Sequence, residues 1–201
     1  MNDDVIHVMA KHENICNYIH LPVQSGNSRV LEMMNRGYTR EWYLDRIKSI
    51  RKIIPECGIS MDIISGFCSE TDQDHKDTLS LMEEVKYDFG YMFSYSERPN
   101  TQAQRKFEDD IDEQTKKKRL QEIIDLQRKH SQIRIEQRLN KTHKVLVEGI
   151  SKKSKDFLYG RTTHNTVVVF PKEDYKSGDY VMVKVGNCTS ATLIGKAVKL
   201  A

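Results

Sequence analysis

The sequence predicts an α/β fold in two parts: a three-strand parallel layer with its helices over residues 1–139, and a small five-stranded β-barrel over residues 140–201. Three observations predict it. Three mostly apolar runs alternate with segments of helical periodicity, the pattern of parallel strands joined by crossover helices. After residue 140 the texture changes to short runs rich in Val, Ile, Tyr and Phe, with turn residues between them. The charge changes at the same place. Residues 140–201 hold 11 Lys+Arg against 5 Asp+Glu, whereas residues 1–139 hold 21 against 24.

The elements follow in order. Residues 16–24 read as a short buried strand, residues 28–35 as a short helix and residues 39–54 as a longer one. In the longer helix Leu44, Ile47, Ile50 and Ile54 recur at spacings of three and four, which gathers them on one face. Pro55 and Gly58 end it. "ISMDIISGF" (residues 59–67) is the second strand. Thr71 opens a helix with Asp72 and Asp74 in its first turn, where the dipole favours carboxylates, and Leu79, Met82 and Val85 form its apolar face. "FGYMFSYS" (residues 89–96) is the third strand. An irregular stretch follows Pro99, and residues 112–139 read as a long charged helix carrying Leu120, Ile123, Ile124 and Leu139. Its "TKKKR" run, residues 115–119, reads as a solvated face, with contact to nucleic acid as the alternative.

Near-continuous apolar strands indicate a layer buried on both faces. Three strands do not close a barrel, however, and they leave edges and an uncovered face. The chain is therefore expected to be a fragment or to be completed by a neighbour. In layers of this kind chemistry sits at the C-terminal ends of the strands. Gln24-Ser25-Gly26, Ser65-Gly66 and Ser94-Tyr95-Ser96 stand at those ends. Small polar residues there leave room for a ligand and supply hydrogen bonds, although turns favour them as well.

In the second part "KVLVEGIS", "FLYGRTT", "TVVVF", "DYVMVKVGNC" and "ATLIGKAVKL" are five short strands in about 60 residues. That density of strands and turns suggests a small closed barrel of the OB kind, which commonly binds nucleic acid. The candidate RNA contacts are Lys152, Lys153, Lys155, Arg161, Lys172, Lys184 and Lys196, with Phe157, Tyr159 and Phe170 available for stacking or for the core.

The whole chain carries a net charge of +3, with 30% charged residues. No run approaches the roughly 18 apolar residues of a membrane span, and the acidic N-terminus lacks an apolar signal region, so a cytoplasmic protein without membrane partners is expected. Cys16, Cys57, Cys68 and Cys188 lie too far apart in sequence for a zinc ribbon, a redox dithiol or a cluster loop, and read as free thiols in a reducing compartment; no metal site is expected.

Four blocks together resemble a known family. "HLPVQSGN" followed by "VLEMMNRGYT" resembles the fourth barrel strand and following helices of the radical-SAM methylthiotransferases. "DIISGFCSET" and "MFSYSERPNT" resemble that family's next two strands, and the terminal barrel resembles its TRAM domain. The likeness covers the chain from about residue 12, and the "HLPVQSG" and "YSERP" wording is most similar to the branch acting on tRNA at the isopentenyladenosine beside the anticodon. Cys68-Ser69 stands where many relatives have Pro-Gly, and Asn100 where they often have Gly.

The resemblance implies a transferase that uses S-adenosylmethionine and two 4Fe-4S clusters, acts on tRNA, takes electrons from a separate donor and works as a monomer. The family's cluster-binding cysteines have no counterpart in this chain. It therefore reads as a C-terminal fragment, half of a radical-SAM barrel plus the TRAM module, with no catalytic residue of its own and no activity alone. By resemblance Gln24, Ser25, Arg36, Asp62 and Gly66 would line the cofactor, and Ser94, Ser96 and Arg98 the substrate. Asp62, if it faces inside, needs a partner, for which Arg98 is a candidate, and His20 reads as a satisfied core histidine, with a catalytic role as the alternative. Met33 and Met34 read as packing groups and Trp42 as the anchor of its helix. The alternatives are a non-catalytic RNA-binding protein and a methylthiotransferase acting on a ribosomal protein.

Overall fold

In the computed structural model, residues 1–199 are described; positions 200 and 201, at the end of the fifth predicted barrel strand, lie outside the described residues. Three parallel strands form the first sheet: β1 (Tyr18–His20), β2 (Gly58–Ser65) and β3 (Phe89–Ser94), in the order β1-β2-β3. Register pairs His20 with Ser60 and Asp62 with Tyr91, and Gln24 makes a further parallel bridge to Ile63. Helices α2 (Ser28–Met33) and α3 (Arg40–Ile53) connect β1 to β2, and α4 (Asp72–Val85) connects β2 to β3. A helix the sequence did not announce, α1 (Asp3–Lys11), buries Ile6 in the same core. A second short one, α5 (Gln102–Lys106), interrupts the irregular stretch.

Local signals fix these helices. Asn27, Thr39 and Asp112 each accept a backbone N–H in the first turn of the helix they open. Thr71 and Asp74 form a reciprocal capping box on α4. Tyr43, Ile47 and Ile50 of α3 are buried, and Leu44 is partly so. In α4 the buried apolar residues are Leu81, Met82 and Val85, with Leu79 only at the margin. Gly26 lets the β1–α2 turn press onto α4. A Cβ there would lie 2.4 Å from Thr78 Cα and 2.7 Å from the Asp77 carbonyl oxygen.

The sheet is covered on one face only. Ile59, Met61 and Ile63 point into the helices and are fully buried. The alternate positions of β3, Phe89, Tyr91 and Phe93, are 49%, 52% and 53% exposed. The expectation of a layer buried on both faces is thus corrected: the sheet has an open face, consistent with the uncovered face that three strands were expected to leave.

The long helix α6 (Glu113–Glu136) packs on the sheet's covered side. It does so largely through Lys116, Arg119, Ile123, Gln127 and His130, spaced three and four apart and mostly polar. The "TKKKR" run is therefore only half solvated. The Lys116 side chain is 2% exposed and donates to Asp109 at 2.7 Å, while Arg119 donates to Asp72 at 2.8 Å and to the Glu70 carbonyl at 2.9 Å.

The second sheet is a closed barrel of β4 (Thr142–Ile150), β5 (Phe157–Thr162), β6 (Val167–Pro171), β7 (Tyr180–Cys188) and β8 (Thr192–Ala197), in the order β4-β5-β6-β8-β7. All five predicted strands are present. Its core holds Val145, Val147, Leu158, Val168, Phe170, Val183 and Leu193, joined by Ile135 from α6. The barrel sits beneath the N-terminal ends of the first sheet's strands. A Cβ on Gly58 would lie 2.8 Å from the His164 carbonyl oxygen, and Lys141 pairs with Glu56 at 2.5 Å.

Candidate functional site

The strand ends come first. Gln24 turns the chain with φ +69°, donates its N–H to the Asp62 carbonyl at 2.8 Å and is 6% exposed. Its side-chain amide has no hydrogen-bond partner among the described residues. Ser25 is occupied: its Oγ lies 3.5 Å from Thr78 Oγ1 and accepts from the Asn27 N–H. Gly66, with φ +71°, and Phe67 give their N–H groups to the Glu70 carboxylate. Burial pushes that carboxyl up in pKa, against the pull of Arg119 and the two amides. A Cβ on Gly66 would lie 2.5 Å from Lys116 Cγ, so this turn is filled by the protein itself. Ser94, by strand alternation, shares the helix-facing side with Gly90 and Met92. Its Oγ and that of its register partner Ser65 are buried without hydrogen-bond partners among the described residues. Arg36, Ser96 and Arg98 are exposed.

The open face of the sheet carries a network that the sequence reading did not assemble. His20 Nδ1 is 2.7 Å from Ser60 Oγ, which is 2.5 Å from the Tyr18 hydroxyl. His20 Nε2 is 3.4 Å from the Asp62 carboxylate. Asp62 is thus paired with His20, and not with the candidate Arg98. His20 stands exposed on the sheet with Tyr91 edge-on at 6.3 Å, so it is no core residue. Tyr18, His20, Ser60 and Asp62 are the alternate, polar positions of two otherwise apolar strands, which marks a shared face in the sequence, but joining them takes the strand register.

The structure therefore brings His20 and Asp62 together on the open face, while Gln24 stands at the strand end with its backbone bonded to the Asp62 carbonyl. It leaves Ser25 and Gly66 engaged in turns, and Arg36, Ser96 and Arg98 on exposed loops.

On the barrel, Lys152, Lys153 and Lys155 project from the β4–β5 loop and Lys172 follows β6; the two segments meet where the Lys172 N–H donates to the Asp156 carbonyl at 2.8 Å. All four are exposed, and none has an ion-pair partner among the described residues. Lys184 and Lys196 are register neighbours on β7 and β8. Lys144 lies 4.7 Å over the ring of Tyr180, which is 65% exposed and was not singled out in the sequence. Arg161 is apart from these, held by Glu148 at 3.1 Å and by Asn165 Oδ1 at 2.9 Å. Phe170 is fully buried and is not available for stacking; Phe157 and Tyr159 are half-buried.

No group of three or more His, Cys, Asp or Glu among the described residues could hold a metal ion. Cys57 and Cys68 are buried and Cys16 is exposed, on separate elements. No helix among the described residues is long and apolar enough to cross a membrane.

Comparison with known proteins gives a consistent result. Residues 1–82 match the family model of the radical SAM superfamily, and residues 136–198 match that of the TRAM domain. Over 200 residues the chain is 60% identical to a tRNA-2-methylthio-N(6)-dimethylallyladenosine synthase from Christiangramia forsetii, covering 100% of this chain and 42% of that protein. It is 58% identical to the protein of the same name from Flavobacterium johnsoniae, with the same coverage. The chain thus spans about two fifths of the length of these curated relatives. Among solved structures, the radical SAM enzyme coproporphyrinogen III oxidase from Escherichia coli superposes with a TM-score of 0.54 at 22% identity, over 81% of this chain and 44% of that one. That likeness concerns the fold alone.

Proposed function

We infer, for a chain whose residues 1–82 belong to the radical SAM superfamily and whose residues 136–198 are a TRAM domain, that it forms the site wall and RNA-docking part of a tRNA methylthiotransferase. On this reading the whole enzyme adds a methylthio group to the isopentenyladenosine beside the anticodon. The division falls at residues 139/140. The observation that carries the reading is the joining of an unclosed sheet, polar on its open face, to a lysine-tipped barrel, in a chain 60% identical from end to end to such a synthase.

The residues present set limits on the cofactors. The described residues offer no cluster ligands, so the two 4Fe-4S clusters, reduced by a separate donor, belong to segments other than these. S-adenosylmethionine fits this chain at one edge: the unpartnered Gln24 amide is free to hold its polar groups, with Arg36 as a cation on the loop beyond. When bound there it supplies the radical and the methyl group. This chain's own residues bind and orient. His20, fixed by Ser60 and Asp62, presents a polar group on the sheet's open face. Ser96 and Arg98 extend from the end of β3 toward substrate, and the monomer is the working unit. The barrel lysines take tRNA phosphates.

The test is a chimera. Residues 1–201 are fused to the N-terminal part of the Christiangramia forsetii relative and expressed in a strain lacking the modification, and tRNA nucleosides are analysed by mass spectrometry. Appearance of the methylthio nucleoside supports the reading; a folded, cluster-loaded chimera that produces none overturns it. For docking, tRNA affinity is measured across a salt series. Replacing Lys152, Lys153, Lys155 and Lys172 by Ala should lower the log–log salt slope by about three, at roughly 0.7–0.9 per phosphate contact.

A further inference from the structure

Between the first sheet and the barrel lies a cavity of about 630 Å³, away from the strand ends. This is the size of a site for a small organic group, about 300–1,000 Å³. Both parts of the chain build it. The start of β3 contributes Phe89 and Tyr91, rings about half exposed and edge to face at 4.9 Å. α6 contributes Arg128 and Arg134, the turn after it Arg138, and β5 contributes Arg161, which Glu148 holds at 3.1 Å.

The charge is one-sided: Asp88 is the single carboxylate among the described lining residues. It is shared by Arg134 and Arg138. Arg128 has only the exposed Asp125 at 3.4 Å, a pair worth little in water. Neighbouring groups register the positive field. Burial, assisted by Arg134, pushes Arg51 down, and burial with Arg138 pushes His164 down to about 4.

Aromatic rings beside four guanidiniums that outnumber their three carboxylate partners, in a cleft open to solvent, suit an anion that carries a flat ring. We propose that this cavity takes one unstacked nucleotide of a single-stranded RNA segment, its base against Phe89 and Tyr91 and its phosphate on Arg128. The proposal rests on the RNA-docking reading above and adds a second point of contact to it. Stacking of this kind tolerates any base, so the cavity orders the strand without selecting sequence.

The test uses the full 201-residue chain, a five-nucleotide oligoadenylate and whole tRNA. The oligonucleotide is crosslinked by ultraviolet light, and the adduct is mapped by mass spectrometry. Its affinity is read by fluorescence anisotropy. The expected adduct lies on the peptide containing Phe89 and Tyr91. Phe89→Ala with Tyr91→Ala should weaken the oligonucleotide by about five- to a hundredfold. Arg128→Glu, at a site with 73% side-chain exposure that folding does not depend on, should weaken it severalfold and serves if the aromatic variant misfolds. Affinities within twofold of wild type, or adducts confined to the barrel lysines, overturn the proposal. In that case steep salt dependence of tRNA binding, lost on replacing the four lysines, leaves the docking reading standing. Absence of any tRNA binding removes both.

Discussion

Asp88 ties β2 and the start of β3 to the C-terminal end of α6, and removing its carboxylate tests that tie directly. Its Oδ2 accepts from the Ile59 N–H at 2.9 Å and from Arg134 Nε at 3.3 Å, and its Oδ1 accepts from Arg138. The side chains of Asp88, Arg134 and Arg138 are 11%, 16% and 8% exposed. Asp88→Ala leaves two guanidiniums side by side, largely out of water, with Arg51 close enough to feel both. Removing one partner of a buried pair costs about 3–5 kcal/mol, and the residual exposure here points to the lower end, about 3 kcal/mol. For a chain of this length each kcal/mol moves Tm by about 2–4 °C, so a fall of about 6–12 °C is expected. Asp88→Asn keeps an acceptor for Ile59 and should fall between. Circular dichroism melts at pH 7 in low and high salt provide the assay. A change below 1 °C for Asp88→Ala would refute the reasoning, because the arginines would then be shown to be solvated without their carboxylate.

Three further outcomes follow from the same geometry. Gly26→Ala drives a Cβ into the α4 backbone and should cost about 1–3 kcal/mol by overpacking, read as a lower urea midpoint with an unchanged m-value. His164 is held neutral by burial, with a folded pKa of about 4 against 6.5 unfolded. Its contribution to stability is complete above pH 6.5 and is lost as pH falls toward 4, so His164→Gln should flatten the stability curve across that window. Thiol labelling of the native protein should modify exposed Cys16 first; Cys57, buried and pushed up to about 11, and the buried Cys68 should react only on unfolding.

The barrel was legible because its strands alternate and its turns are marked, and every predicted run became a strand. The α/β order was legible because α3 and α4 carry apolar stripes with capping residues before them. What escaped the sequence has a common cause. The stripe of α6 that meets the sheet is made of Lys116, Arg119, Gln127 and His130. Arg119 is met by Asp72, Gln127 by the Tyr87 carbonyl and His130 by Glu83, all far along the chain, while Lys116 is met by Asp109 and Glu113. Hydrophobic periodicity is blind to such a contact. The His20–Ser60–Asp62 network needed the register of two strands, which one strand's sequence does not contain. Ser25 and Gly66 were placed at the right strand ends, but their polar groups are spent on Asn27 and Glu70.

Helix α6 has one more consequence. Its first turns touch Gly66 at the end of β2, and its last turn delivers Ile135 into the barrel core. At 1.5 Å per residue, Lys116 at the first mark and Ile135 at the second stand about 28 Å apart. The helix is a ruler laid between the strand ends and the barrel. Any single ligand gripped at both marks must be at least about that long, a length that small metabolites lack and a folded nucleic acid has.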